Sequence, residues 1–458
     1  MAFSSKGPAG HRRLAADPAR VIALSFALVI LTGTLLLALP ISSREGVFTP
    51  LADCLFTATS ATCVTGLVVY DTYTHWSPLG QGIILALIQV GGLGLVTLTT
   101  FFNIAIGKKL GLRGLHLAQE SVASMGDDIG RLIKIVITTS LAVESAGALL
   151  LAFPMVERYG MAGVPIAVFT SVSAFCNAGF DLFGRDAPFL SLCGFAGDPL
   201  VLGVVGLLII VGGIGFIVIY DLLQYRRTRK LLLHTRIVVV ATAALLLTGT
   251  AFTALCEWRN PATIGDWPAL RKLGASLFHS VSCRTAGFNV FPLEGMRPVT
   301  KLLSSILMFF GAAPGSTGGG IKITTGAVIF MTVWCVARGG EDTVIFHRRV
   351  AKGAVYKSLA VTVLAILGIS ITAGCILATM GHTLAVPGVD AVFESVSAFA
   401  TVGLSVGVTG VANPLSRLLL IFLMYLGRLG PVSFFLSLAA RATGNRKEIL
   451  PEGKIQIG

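Results

Sequence analysis

The sequence predicts an all-α polytopic membrane protein built from four repeats of span, re-entrant loop and span. Three observations lead there. Of 458 residues, 54% are hydrophobic and 12% charged, about half the charged share of a soluble chain. Apolar runs long enough to cross a bilayer recur along the whole chain. Between alternate runs lie four half-polar segments that resemble one another: FTATSATCVTGL from Phe56, FTSVSAFCNAGF from Phe169, FHSVSCRTAGF from Phe278 and FESVSAFATVGL from Phe393.

The apolar runs centre on residues 21–40, 80–106, 132–153, 199–223, 237–256, 299–334, 358–380 and 415–440, giving eight predicted transmembrane helices. Lys6, Arg12, Arg13 and Arg20 precede the first run and no small-residue cleavage site follows it, so it reads as a retained span. The closing glycines of the four segments are Gly66, Gly179, Gly287 and Gly403, separated by 113, 108 and 116 residues. A period that constant marks an internal repeat. It divides the chain into an N-terminal segment 1–20, repeats over 21–106, 107–223, 224–334 and 335–440, and a tail 441–458. Each short segment offers roughly ten residues of helix, about half the ~30 Å hydrocarbon core at ~1.5 Å per residue. Such a half-helix must enter and return. It leaves extended backbone at membrane depth, tolerable only where that backbone is buried in protein or lines a water-filled cavity. Four of these around one axis make a pore. In the third segment Phe278 and Gly287 are one residue closer than their counterparts, which predicts a shorter half-helix or a different start.

The formal net charge is +13. Segments 1–20, 107–134, 224–236, 335–357 and 441–458 hold 23 Lys and Arg, whereas the loop-bearing segments 41–77, 154–198, 257–301 and 381–414 hold 9, together with 12 Asp and Glu. The positive-inside rule therefore places both termini in the cytoplasm and all four loops outside, at a mildly negative mouth that enriches cations. The basic excess sets topology and offers no nucleic-acid site. Eight scattered cysteines without CxxC pairs or metal-spaced histidines exclude a disulfide framework or zinc site. No P-loop, GxGxxG turn or soluble stretch long enough for a nucleotide domain occurs, so the chain itself binds no nucleotide. Its seven histidines form no HExxH and no nucleophile–base set, which argues against an enzyme. A sodium-coupled secondary transporter would be expected to show inverted repeats, and all four repeats here share one orientation.

Each loop ends in a tripeptide of short or uncharged residues: Val64-Thr65-Gly66, Asn177-Ala178-Gly179, Thr285-Ala286-Gly287 and Thr401-Val402-Gly403. One such tripeptide is an ordinary turn after a helix; four at a constant period are not. An ion there must be held by backbone carbonyls, the device of potassium selectivity, and glycine permits the backbone angles this needs. A calcium or magnesium filter would present carboxylates instead. Arg284 precedes the third tripeptide. It reads as an anchor turned away from the ion and paired with Glu394, Asp53 or Asp390. The sixth span, Thr300 to Trp334, is interrupted by GAAPGSTGGGIKITT at Gly311–Thr325, where Pro314 and Gly315, Gly318, Gly319 and Gly320 break a helix. Arg428, in MYLGRLGP, is costly near mid-membrane and must face a partner, for which Glu144 is one option. The clusters GGLG at 91–94 and GGIG at 212–215 predict close helix packing with no hinge. His279 reads as a packing or rim residue.

The loop strings ATCVTGL, AFCNAGF, RTAGF and FATVGL, the eight-span layout and the interrupted sixth span resemble the Trk/Ktr/HKT superfamily of cation translocating subunits, closest to its bacterial KtrB and TrkH types, over essentially the whole chain. The resemblance implies one chain folded as a pseudo-fourfold pore whose K+ selectivity filter is made of the four tripeptides. Serine at the first filter glycine goes with sodium transport in that superfamily, and Gly66 favours potassium. It further implies an intramembrane gating loop beneath the filter, comprising Gly311, Pro314, Gly315, Ser316, Thr317, Gly318, Gly319, Gly320 and Lys322, with Arg428 in contact with that loop or with the filter region. Potassium uptake across the cell membrane follows as the expected function, with Na+ as a candidate activator. The expected partners are a second copy, through a tail ending PEGKIQIG, and a cytoplasmic ring of Rossmann-type (RCK/KTN) nucleotide-binding subunits. A sodium or non-selective monovalent cation transporter is the alternative.

Overall fold

The computed structural model describes residues 18–94, 129–381 and 386–431. The predicted ends of the second span (to 106) and last span (to 440), most of the first basic segment and the tail 441–458 lie outside the described residues.

Each repeat opens on a long helix: α1 Pro18–Ala38, α4 Ile129–Tyr159, α8 Leu233–Glu257 and α12 Lys352–Met380. By length and composition these supply the four stretches able to cross a membrane among the described residues. Their sequences dictate two faces. In α1, Leu24, Leu28, Leu31 and Leu35 recur at helical spacing and are exposed, while Phe26, Ile30 and Leu37 are buried. A leucine stripe without protein cover is stable only against lipid.

The second element of each repeat is a half-helix: α2 Leu51–Thr62, α5 Gly163–Phe175, α9 Ala269–Ser282 and α13 Gly388–Phe399. At 12 to 14 residues none can span. Their matching aromatics Phe56, Phe169, Phe278 and Phe393 are all buried, as are Ser60, Ser173, Ser282 and Ser397 one turn further on. The short third segment does not have a shorter half-helix. Ala286 N–H closes on the Ser282 carbonyl four residues back, whereas Thr65, Ala178 and Val402 reach five residues back to Ser60, Ser173 and Ser397. The missing residue comes out of the turn, and α9 remains the longest of the four.

The third element begins on a proline every time: α3 Pro78–Leu93, α6 Pro199–Ile214, α10 Pro298–Phe309 and α14 Pro414–Leu429. Proline suits the first helical position, and Ser77, Asp198 and Asn413 cap three of the four ends. All four helices then stop part-way. Gly94, Gly215 and Gly430 end α3, α6 and α14 at φ of 81°, 92° and 85°. Beyond Gly215 the chain turns by 95° into α7 Phe216–Thr228. Beyond α10 runs the loop 310–322, and α11 Ile323–Ala337 follows it. The expectation of one interrupted span and hinge-free glycine clusters is corrected at GGIG, whose last glycine is itself a helix break, while the last glycine of GGLG ends α3 with the residues after it outside the described ones. A two-residue ribbon, Val344–Ile345 with Arg348–Arg349, is the only strand pairing among the described residues.

Candidate functional site

The four tripeptides, hundreds of residues apart, meet in one ring. A Cβ built on Gly66 would lie 2.5 Å from the Ala178 carbonyl oxygen, one on Gly179 2.9 Å from that of Ala286, and one on Gly287 2.6 Å from that of Val402; one on Gly403 would strike the Thr65 carbonyl. Each glycine thus leans on the carbonyl preceding the glycine of the next repeat, and the cycle closes. All four glycines have φ between 69° and 94°. The first residues of the tripeptides, Val64, Asn177, Thr285 and Thr401, also have positive φ, between 50° and 68°. For the β-branched members that conformation costs roughly 1–2 kcal/mol each. The surrounding structure must hold them there, a pattern typical of functional sites.

The amide groups show which way the backbone faces. Val64 and Thr65 N–H donate to the carbonyls of Ala61 and Ser60, and Gly66 N–H donates to Ser60 Oγ at 3.1 Å. Repeat four reproduces this set, with Gly403 N–H donating to Ser397 Oγ at 3.1 Å. In the second repeat the Ser173 hydroxyl has no partner, and in the third Ser282 Oγ donates to the Phe288 carbonyl. Repeats two and three are tied instead by a 3.2 Å hydrogen bond between the Asn177 amide and the Thr285 hydroxyl. In repeats one and four all three N–H groups are committed to their own half-helices, and no described group donates to a carbonyl of the four tripeptides. The buried hydroxyls of Thr62, Thr65 and Thr401 are likewise unpartnered. Four half-helix C-termini, each carrying partial negative charge, converge on this oxygen-rich ring. Such a site attracts a cation and offers it uncharged oxygens.

The loop 310–322 lies against the same ring. Its ends are pinned by a bridge between Phe310 and Ile321. Cβ atoms on Gly318 and Gly319 would strike the Thr285 and Thr401 side chains, and one on Gly320 would meet Ala400. Ala313 and Thr317 N–H donate to the Gly213 and Gly212 carbonyls at 3.0 and 3.2 Å, Thr317 Oγ1 donates to the Phe175 carbonyl, and Gly320 N–H donates to that of Gly427. Gly311 and Gly315 complete the loop's framework, donating to Ile321 and accepting from Phe216, while Ser316 Oγ closes a turn onto Ala313 beside Pro314. Lys322 Nζ donates to the Gly318 carbonyl at 2.7 Å. Arg428 donates to the carbonyls of Thr317 and Gly91, and to that of Gly92 at 3.3 Å, joining the loop to the first repeat.

Arg428 stands in a third copy of the glycine cluster, in the fourth repeat, that the sequence reading missed. Gly427-Arg428-Leu429-Gly430 matches GGLG and GGIG, with arginine where Gly92 and Gly213 stand. The first glycine of each, Gly91, Gly212 and Gly427, lies against the carbonyl ending a half-helix, at Thr62, Phe175 and Phe399. Glu144 is not the partner of Arg428: Gln89 Nε2 donates to both its carboxylate oxygens at 3.1 Å. Arg284 pairs with none of the three carboxylates expected for it. Its guanidinium reaches the Gly311 carbonyl at 3.5 Å, while Asp53 pairs with Arg417 at 2.5 Å, Asp390 with Lys301 at 2.8 Å, and Glu394 is consumed by Ser405, Val406 and Thr409. His279 is buried in hydrogen-bond contact with Ser304.

The acids of the loop-bearing segments are largely structural. Asp71 accepts from Tyr73, Thr74 and Phe189, and Asp186 pairs with Arg158. Asp181, two residues beyond Gly179, is pushed up to about 7 by desolvation, with the Asp71 charge adding to the rise and the Phe183 amide opposing it.

Residues 9–443 match the TrkH family, described as cation transport protein. The chain is 38% identical to Ktr system potassium uptake protein B of Bacillus subtilis, over 96% of this chain and 97% of that one. It is 39% identical to the protein of that name in Vibrio alginolyticus, over 92% and 91%, and 34% identical to potassium/sodium uptake protein NtpJ of Enterococcus hirae, over 96% and 97%. The crystal structure of the potassium transporter TrkH from Vibrio parahaemolyticus superposes with a TM-score of 0.70 at 17% identity, covering 95% of this chain and 87% of that one, which shows a common fold. Four spanning stretches, a ring of cation-seeking carbonyls and matches over nearly the whole length agree: this multi-pass membrane chain belongs to the TrkH family of cation transport proteins.

Proposed function

We propose that the chain is the pore-forming subunit of a potassium uptake system of the cell membrane, conducting K+ down the axis of the glycine ring. The observation that carries this is the ring itself: four glycines at positive φ, each against its neighbour's carbonyl, with the tripeptide carbonyls left free. In this reading Val64 to Gly66, Asn177 to Gly179, Thr285 to Gly287 and Thr401 to Gly403 form the filter, replacing water around a dehydrated ion. The chain makes eight spans and four half-helices in pseudo-fourfold array, with the repeats bounded at 21–106, 107–223, 224–334 and 335–440. Its termini face the cytoplasm and its loops the outside. The loop from Gly311 to Lys322 obstructs the path below the filter, held shut by Arg428, whose charge also repels ions that approach it. The relatives' names support a Ktr-type system with partner subunits; the sequence resemblance supports a second copy and a nucleotide-binding cytoplasmic ring as those partners and Na+ as activator.

The Enterococcus relative's name favours a second reading, in which sodium is carried as well. K+ and Na+ flux into liposomes separates the two. The intact protein is expected to pass K+ well ahead of Na+, and Gly66→Ser to lose that preference. Equal K+ and Na+ flux in the intact protein overturns the potassium filter.

A further inference from the structure

A groove of ≈ 480 Å³ separates the first two repeats on the side of the half-helix entries. It is lined by Arg44, from the segment between α1 and α2, by Tyr73 to Gln81 at the start of α3, by Ala162 to Ile166 at the start of α5, and by Leu182 and Arg185 beyond the second tripeptide. No function so far described uses it.

Its chemistry has two parts. Two of its lining residues, Arg44 and Arg185, carry guanidinium groups that make no ion pair among the described residues. Aromatic faces hold them: Arg44 Cζ lies 4.3 Å from the Tyr73 ring centroid and Arg185 Cζ 5.6 Å from that of Tyr159. The nearby carboxylates are already committed, Asp71 to backbone amides and Asp186 to Arg158. The rest of the groove is apolar, with Ile166 and Leu182 buried as its floor. Beside it Leu79, Met161 and Val164 are 51%, 80% and 40% exposed, so the groove opens onto hydrocarbon-seeking surface. Two guanidinium groups without ion pairs next to an apolar trough fit one ligand, a phosphate carried on acyl chains.

We propose that this groove binds an anionic phospholipid of the outer leaflet, its phosphate between Arg44 and Arg185 and its glycerol and upper acyl chain along Ile166 and Leu182. The leaflet rests on the outward orientation of the loops; the site itself does not. A net negative headgroup is favoured over a zwitterionic one, because neither arginine is held in an ion pair among the described residues. The lipid would fasten α3 to α5 beside the second corner of the filter.

The full chain in detergent tests this directly. Thermal unfolding and native mass spectrometry are followed on adding phosphatidylglycerol, phosphatidylcholine of the same acyl chains, or sodium phosphate alone. Phosphatidylglycerol is expected to raise the midpoint and remain bound, with the other two giving little shift. Arg44→Ala with Arg185→Ala should weaken phosphatidylglycerol binding on the order of tenfold or more, since each removes a charge-assisted hydrogen bond. Arg44→Lys with Arg185→Lys keeps the charge if the alanine pair fails to fold, and should retain part of the affinity. Arg259→Ala, an exposed loop arginine away from the groove, should leave it unchanged. Equal stabilisation by phosphatidylcholine or by phosphate alone, or an alanine pair that binds phosphatidylglycerol as tightly as the intact chain, overturns the proposal. Ion flux through the ring is unaffected by those outcomes, so the potassium reading stands or falls separately.

Discussion

Ser60 and Ser397 occupy matching places near the ends of α2 and α13, and each hydroxyl accepts from a filter glycine amide at 3.1 Å. Both serines are fully buried, so removing a hydroxyl strands a glycine N–H at a cost of roughly 1–3 kcal/mol. That energy is what keeps the amide turned outward and the carbonyls inward. Ser60→Ala and Ser397→Ala are therefore expected to lower the K+ to Na+ flux ratio several-fold. Ser173→Ala should be close to neutral, because that hydroxyl has no partner. Equal effects at all three positions would show that the hydroxyls matter only for packing. The tripeptides were legible in sequence because the repeat announced them four times. The serine clamps were not, since Ser60, Ser173, Ser282 and Ser397 are identical in type and differ only in where the hydroxyl points. Arg284 failed for a related reason: charge predicts a carboxylate partner, yet every carboxylate considered is bound by a nearer cation or by backbone amides.

The helices α3, α6 and α14 share one design that α10 lacks. A first glycine seats the helix on the end of a half-helix, and a glycine three places on ends it at positive φ. Both roles use the same four letters, so GGLG and GGIG were read as packing alone, and only the backbone angle separates seat from break. In α14 the second place is taken by Arg428, whose guanidinium spans from the Thr317 carbonyl to that of Gly91. Without it three carbonyls lose a charged donor and the loop loses its tie to the first repeat. Arg428→Ala is expected to raise basal K+ flux in liposomes several-fold, as is shortening Gly315–Gly320. Unchanged flux in both, at normal expression, would show that the loop does not obstruct the path. The proline and glycine content of 311–320 made this loop readable from sequence; its attachment through α14 required the structure.

The fourth repeat is joined to both its neighbours by ion pairs near the half-helix entries. Lys301 of the third repeat meets Asp390 of the fourth at 2.8 Å, and Arg417 of the fourth meets Asp53 of the first at 2.5 Å. Lys301 and Asp390 are both buried, and stripping one member of a buried pair typically costs about 3–5 kcal/mol. Asp390→Ala should accordingly lower the thermal unfolding midpoint in detergent sharply. Asp342→Ala should hardly move it, since its pair with Arg349 is largely exposed and worth about 0–1 kcal/mol. Similar midpoints for the two variants would refute a structural role for the inter-repeat pairs. Asp53 and Asp390 are thereby withdrawn from the acidic balance of the loop-bearing segments, their charge spent on holding repeat to repeat.

Because the glycine ring is cut from one chain, each corner is encoded separately. A mutation in a pore of four identical subunits arrives in quadruplicate, and its effect is all or nothing. Here a single codon alters a single corner, and the neighbour whose carbonyl that corner supports feels it next. If the ring is the filter proposed above, ion preference can be adjusted one corner at a time, with three unaltered corners preserving the opening.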